Sequence, residues 1–418
     1  MARELNVASI PEGWSYGLLD DFAERCSGHT PSKSYPEYWN GGIKWISLAD
    51  TFRLDNGLVS ETDKEISDLG IQNSSAQLHP AGTVVLSRDA GIGKSAVMAE
   101  SMAVSQHFIA WKCDVNKKLH NWYLYNWLQL HKPEFERQAV GSTIKTIGLP
   151  YFKKLKIAAP SYEEQRKIAK ILSTWDKAIS TTEKLIKTSK QQKKALMQQL
   201  LTGKKRLVNP ETGKVFEGDW EDVKLGDVAA MNSGGTPKSS VSEYYGGKNP
   251  WVSIADMTKH GKWISKTEKS LTDEGIANSS ARLYPKGTVL YAMYASIGEC
   301  SIATVELCSS QAILGIRPEN RLLNLFLYYY LNNLKEQIIL MGQQGTQSNL
   351  NAGMVKSFVI KLPPIEEQQK VASALTTADK DIEVLEAKLS HLKQEKKALM
   401  QQLLTGKRRV QVEESVAA

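Results

Sequence analysis

The chain has 418 residues, 41% hydrophobic and 23% charged, a balance that excludes a disordered or bilayer-embedded protein and suffices for two full cores. Its formal net charge of +8 is compatible with a polyanionic partner such as nucleic acid, and equally with an ordinary basic surface. Four scattered cysteines (Cys26, Cys113, Cys300, Cys308), no C-x-x-C pair and no signal peptide predict reduced thiols in a cytoplasmic protein.

Residues 1–158 are predicted to be a first domain of mixed strands, loops and some helix. Within it, "AGTVVLSR" (81–88) reads as a Gly turn followed by a β-rich run. "RDAGIGKSA" (88–96) ends in Gly-Lys-Ser but has Arg88 where a phosphate loop needs its first glycine. A turn between strands, with Arg88 and Lys94 able to reach a phosphate backbone, suits it better. "NWYLYNWLQL" (121–130) reads as a buried helix, with an aromatic base-stacking ladder as the less favoured alternative.

Residues 159–207 are predicted to be one long helix. Ile168, Leu172, Trp175, Ile179, Thr182, Ile186, Ser189, Lys193, Leu196 and Leu200 recur at alternating steps of four and three, the 3.5-residue period of a coiled-coil seam. Pro160 precedes it, Glu163 and Glu164 occupy its first turn, and Gly203 followed by cations ends it. A helix of about 40 residues is about 60 Å long, too long to bury its seam on one small core.

The rest of the chain repeats this plan. "TPSKSYPEYWNGGIKWISLAD" (30–50) aligns with "TPKSSVSEYYGGKNPWVSIAD" (236–256), "GIQNSSAQLHPAGTVVL" (70–86) with "GIANSSARLYPKGTVLY" (275–291), and "PSYEEQRKIAKIL" (160–172) with "PPIEEQQKVASAL" (363–375). Residues 208–361 therefore form a second, similar domain, and 362–409 a second long helix with 410–418 as a tail. The second seam runs through Val371, Leu375, Ala378, Ile382, Leu385, Leu389, Leu392, Lys396, Leu399 and Leu403 in the same register. "KQQKKALMQQLLTGKKR" (190–206) and "KQEKKALMQQLLTGKRR" (393–409) agree at 15 of 17 positions, whereas 98–150 and 303–355 scarcely align. The expected architecture is α+β: two tandem domains separated by two long helices that pair as an antiparallel coiled coil. A constant scaffold would carry two divergent recognition surfaces.

No catalytic chemistry is evident. Glu299 stands where Lys94 would recur, and "KNPWVS" (248–253) echoes a methyltransferase N-P-P-[YFW] loop without its second proline. The seven histidines form no H-E-x-x-H, none aligns with another between halves, and no G-x-S-x-G occurs. "LLNLFLYYYLNNL" (322–334) is too short and too polar to span a membrane.

In the order of these motifs — "TPSKSYPEYWNGGIKWISLAD", "GIGK" ("SIGE" in the second half, without the lysine), "PSYEEQRKI" leading into a helix that ends "LLTGK", each with its counterpart — the chain resembles the specificity (S) subunits of type I restriction–modification systems. The resemblance implies a non-catalytic, sequence-specific DNA-recognition subunit. Each variable domain would be a target recognition domain for one half of a bipartite asymmetric site in double-stranded DNA. The long helices would space the domains and dock two methyltransferase (M) subunits, and restriction (R) subunits would then join. No cofactor would be bound by this chain, S-adenosylmethionine and ATP/Mg being used by the partners. Two domains reading one face of a duplex would place half-site centres about 34 Å apart. The family's polar loop before the last strand corresponds to "GSTIKTIG" (141–148) and "GTQSNLNAG" (345–353), where Thr143, Lys145, Gln347 and Asn349 are candidate contacts. Lys33, Arg88 and Lys94 in the first domain, and Lys238, Ser239 and Arg282 in the second, are further candidates, with solvated surface as the plain alternative for each. The competing reading is a non-catalytic protein–protein scaffold whose duplicated domains bind peptides or glycans. A fused or solitary enzyme is opposed by the missing motifs.

Overall fold

The structure, a computed structural model, describes residues 10–141, 145–344 and 350–412. The chain divides into two compact units, one built from residues up to Glu183 and from Ala387 onward, the other from Lys184–Glu386. Each unit contains one mixed α/β domain and one stretch of paired long helices.

In the first domain, strands β1 (Ser15–Leu18), β2 (Glu24–Ser27), β3 (Trp39–Ile46), β4 (Leu58–Val59), β5 (Lys64–Ile66), β6 (Val84–Ser87), β7 (Ser95–Met98), β8 (Ala103–Val104), β9 (Phe108–Lys112) and β10 (Lys156–Ala159) form three sheets. The largest has the order β2-β9-β6-β7-β4, a smaller one β5-β3-β8, and β1 pairs with β10. β6 reads as a continuous apolar run rather than an alternating one because both its faces are covered. Val84, Leu86, Ile109 and Trp111 pack against Tyr123, Leu124, Trp127 and Leu128 of the domain helix Asn121–Gln138. Val85, Ala96, Met98 and Phe108 point the other way, onto Ile46, Leu54, Val59 and Val104. The aromatic residues of "NWYLYNWLQL" are thus consumed by the core.

The second domain repeats the pattern with β11 (Glu221–Lys224), β12 (Ala229–Ser233), β13 (Tyr245–Val252), β14 (Trp263–Ile264), β15 (Lys269–Leu271), β16 (Val289–Ala292), β17 (Cys300–Ala303), β18 (Cys308–Ser309), β19 (Ile313–Pro318) and β20 (Val359–Leu362). Its sheets are β12-β19-β16-β17-β14, β15-β13-β18 and β11-β20, and its domain helix is Asn324–Gln344.

β10 and β20 lead directly into the long helices Tyr162–Leu200 and Ile365–Leu403, which pair antiparallel. Within the first unit, Ile168 and Leu172 share a core with Met400, Leu403 and Leu404, and ion pairs join Asp176 to Lys396 at 2.5 Å and Glu183 to Lys393 at 2.7 Å. Within the second, Leu200 and Leu201 share a core with Val371 and Leu375, Lys190 meets Glu386 at 2.6 Å, and Lys193 meets Asp379. Along the seam, Ile168, Leu172, Thr182, Ile186 and Leu200 are buried, as are Val371, Leu375, Ile382 and Leu403. Trp175, Ile179, Ser189, Lys193, Leu196, Ala378, Leu385, Leu389, Leu392, Lys396 and Leu399 are half-buried.

The motif "EEQ" explains how helix and domain are joined. Gln165 donates to the carbonyls of Lys118 and Pro160 and accepts from the His120 backbone N–H; Gln368 makes the same three bonds with Arg321, Pro363 and Leu323. The buried carboxylates Glu164 and Glu367 receive Arg409 and Arg206, the last residue of each repeated "LLTGK[KR]R" block. Arg206 also donates to the Gly218 carbonyl at 2.8 Å, and Arg409 to the Glu12 carbonyl at 2.7 Å. Gly203 and Gly406 adopt left-handed φ values of 71° and 70°, and the N–H groups of Lys205 and Arg408 reach back to the carbonyls of Gln199 and Gln402. That glycine turn carries each arginine back beside its glutamate.

The second unit contains a further link. Lys262 donates to the Tyr329 hydroxyl at 2.6 Å and lies 3.2 Å from Asp379, which also holds Lys193. Burial pushes the Lys262 ammonium below its ordinary pKa. Burial raises Asp379, but hydrogen bonds from Lys193 and Tyr329 outweigh it and leave the carboxyl below the usual range. The first unit lacks both partners: Gly57 stands in place of Lys262 and Asn126 in place of Tyr329, and the Gly57 backbone N–H donates to the hydroxyl of Tyr125, the counterpart of Tyr328, at 3.1 Å.

One core position shows how the halves diverged. Tyr284 lies against Gly315 so closely that a Cβ there would sit 2.4 Å from its ring, and its hydroxyl donates to the Asn232 carbonyl. In the first domain the corresponding residues are His79 and Ala110, a smaller ring opposite a methyl. We expect Gly315→Ala to cost about 1–3 kcal/mol through overpacking, and Tyr284→His added to it to recover part of that loss, read by denaturant unfolding. Burial drives His79 down to about pKa 4 from an ordinary 6.5. As pH falls from 6.5 toward 4, the unfolded chain therefore takes a proton that the folded one refuses, and stability should fall by up to about 3 kcal/mol. Replacing the pair by His79→Tyr/Ala110→Gly should remove about one proton from that dependence, and an unchanged slope would count against His79 as its source.

Candidate nucleic-acid interface

Antiparallel pairing places the end of β2, the start of β9, the end of β6 and the start of β7 at one edge of the large sheet. The segments 28–35, 105–107 and 88–94 therefore converge there. Thr30 donates to Gln106, the Arg88 N–H to the His107 carbonyl at 3.1 Å, and the Ile147 N–H to the Arg88 carbonyl at 2.9 Å. The second domain repeats the frame: Thr236 donates to Gln311, Met293 to Ala312 at 2.9 Å, and Leu350 to Met293 at 3.1 Å. The polar loop singled out in each domain thus starts or ends on the turn that follows β6 or β16.

The repeated "W-[IV]-S-[IL]-A-D" holds a further loop at this edge. The Trp45 indole donates to the His29 carbonyl at 3.0 Å and the Trp251 indole to the Gly235 carbonyl at 2.9 Å. Asp50 accepts from the Ser47 N–H at 2.9 Å and the Asp63 N–H at 2.7 Å; Asp256 accepts from the Ser253 N–H and the Glu268 N–H, both at 2.9 Å. In the first domain this loop displays Phe52, 66% exposed, beneath the Arg53 guanidinium, whose carbon is 4.6 Å from the ring centroid.

Lys33 and Lys145 in the first domain, and Lys238, Ser239 and Arg282 in the second, are exposed. Gly235 is pressed onto the backbone of Ser280 and Ala281, which sets the 236–239 loop beside the segment carrying Arg282. Arg88 is half-buried, 3.7 Å from Asp89. Lys94 is not the free cation expected from sequence, because its ammonium donates to the Thr51 carbonyl at 3.1 Å and so ties two loops together. Glu299, in its place, pairs instead with Lys335. Thr143, Gln347 and Asn349 lie outside the described residues. Sequence reasoning missed Phe52, where the second half has Thr258, Arg53, where it has Lys259, and His107, which belongs to no metal or catalytic motif. The described residues contain no group of His, Cys, Asp or Glu that could hold a metal ion and no helix long and apolar enough to cross a membrane.

A family profile described as "Type I restriction modification DNA specificity domain" matches residues 11–190 and 217–394. The chain is 28% identical to the type I restriction enzyme MjaVIII specificity subunit of Methanocaldococcus jannaschii over 98% of this chain and 96% of that one. It is 25% identical to the EcoR124I/EcoR124II specificity subunit of Escherichia coli over 64% of this chain and 65% of the relative. Among solved structures, the S subunit from M. genitalium aligns with a TM-score of 0.57 at 16% identity, covering 96% of this chain and 97% of that one. A chain solved in work on complex assembly and conformational transition of the type I R-M system aligns with a TM-score of 0.63 at 18% identity, covering 96% and 99%.

Burial raises the Asp256 carboxyl, but the hydrogen bonds from Ser253 and Glu268 outweigh it and hold it below the usual range. Its contribution to stability is therefore present above the ordinary carboxylate pKa and lost as pH falls through the lowered one. Asp256→Ala should cost about 3 kcal/mol in chemical denaturation and speed amide exchange at Glu268, because the loop loses a charged acceptor. Unaltered exchange there would refute the anchoring role.

Proposed function

This chain belongs to the specificity (S) subunits of type I restriction–modification systems, non-catalytic subunits that recognise the target site through two recognition domains, and we propose how its parts divide that work. Each strand-end surface reads one half of a split, asymmetric double-stranded DNA site. The exposed Lys33, Lys145, Lys238 and Arg282 contact phosphate or base edges, and Ser239 and the polar-loop residues Thr143, Gln347 and Asn349 supply further hydrogen bonds. Arg88, whose carbonyl accepts from the Ile147 N–H, is a second-rank contact, and Lys94 acts mainly through the loop it holds. The carrying observation is the repetition of one backbone frame in two domains whose side chains at the same strand edge differ.

The paired helices act as the spacer and as the docking ends for two methyltransferase subunits, to which restriction subunits are added in the cytoplasm. S-adenosylmethionine and ATP/Mg serve those partners. The duplicated ends, Gly203 with Arg206 and Gly406 with Arg409, suit two copies of one partner.

Modified-base sequencing of host DNA with the gene present and deleted tests this. A split motif should vanish on deletion, and inserting about one helical turn in the central helix before Lys193 should lengthen the gap while leaving both half-sites unchanged. An unchanged gap would overturn the spacer role. Binding by the assembled complex should weaken steeply with salt, which a peptide- or glycan-binding scaffold need not show.

A further inference from the structure

The two strand-end surfaces share a backbone frame but differ in one buried polar contact. In the first domain, Asp89 follows directly on Arg88, and its side chain is 11% exposed. It accepts the His107 Nδ1–H at 2.5 Å and a hydrogen bond from the Thr146 hydroxyl. The corresponding residues of the second domain are Tyr294 for Asp89 and Ala312 for His107, with Met293 in place of Arg88. The backbone bonds from Arg88 to His107 and from Met293 to Ala312 are nevertheless the same. The fold therefore does not require a carboxylate–imidazole pair at this place; only one of the two surfaces has it.

The pair has a chemical consequence. A carboxylate held against Nδ1 keeps the proton on that nitrogen, so in the neutral ring Nε2 presents a lone pair. The His107 side chain is 36% exposed, and among the described residues nothing bonds Nε2. The ring stands between Gln106, tethered to Thr30, and the Arg88 turn, amid the segments that converge at the strand edge.

We propose that His107 is a base-reading residue of the first recognition domain. Its Nε2 accepts a hydrogen bond from an exocyclic amino group in the major groove, adenine N6 or cytosine N4, and Asp89 is the positioning residue that sets its tautomer. This rests on the reading that the strand-end surface faces DNA.

The test uses the intact specificity subunit with its methyltransferase partners, and modified-base sequencing of DNA exposed to the wild type, His107→Ala, His107→Gln and Asp89→Asn. His107→Ala should relax one base-pair position in one half-site, raising methylation of sites altered there by about tenfold relative to the wild type. The other half-site should stay intact, which also reports that the chain is folded. Glutamine, which retains an acceptor, should restore part of the discrimination, and Asp89→Asn should relax the same position. Unchanged discrimination in His107→Ala overturns the proposal, as does an even loss of methylation across all sequences, the signature of a prop or a phosphate contact. Should the alanine variant fail to assemble, an unchanged motif in Asp89→Asn overturns it instead. A wild-type complex with no split motif sinks the DNA-facing reading as well, whereas a split motif indifferent to all three variants sinks only the role of His107.

Discussion

A buried carboxylate at the start of each long helix requires a cation, and here that cation comes from beyond the end of the opposite helix. Glu164 is 2% exposed and Glu367 is 0% exposed, and neither could be left unpaired without a large desolvation cost. Arg409 and Arg206 answer that need in forked geometry, and each also caps a backbone carbonyl of the segment leading into the adjoining domain. The pair therefore does more than neutralise charge. It sets the antiparallel register within each unit and anchors the chain that enters the first strand of each domain, while the neighbouring Gln165 and Gln368 stitch the helix to the domain helix.

That arrangement changes the meaning of the repeated basic block. Its lysines lie on half-buried and exposed helix faces, some of them paired, as Lys193 is with Asp379 and Lys396 with Asp176. Its terminal arginine is a structural partner, and its glycine supplies the left-handed turn that makes the partnership possible. The repeated glycine and arginine of the two blocks close two equivalent ion pairs. The strand edges diverge instead, with Arg88, Asp89 and His107 in one half and Met293, Tyr294 and Ala312 in the other.

Much of this was legible beforehand. The 3.5-residue period exposed both seams, since seam positions in a long helix have to alternate by three and four to stay on one side. The internal alignment located both domains, and the buried strands betrayed themselves as unbroken apolar runs. The site was less legible. The repeated tryptophan and aspartate belong to the constant scaffold: Trp45 and Trp251 donate inward, and Asp50 and Asp256 tie down a loop. Lys94 looked like a free cation and is engaged by a carbonyl 43 residues away in the chain. His107 belongs to no metal or catalytic motif and has no counterpart in the other half, and a residue that distinguishes two surfaces has no reason to repeat.

The sequence by itself determined the duplication, the helix lengths and seams, and the family, because periodicity and repetition are local or self-referential patterns. Tertiary structure alone decided which glutamate meets which arginine, which loops share an edge, and which polar side chains point outward. Those contacts join residues tens to hundreds of positions apart, as Glu164 and Arg409 are. Nothing in the residue types announces such pairs; only the folded path of the backbone brings them within a hydrogen bond of each other.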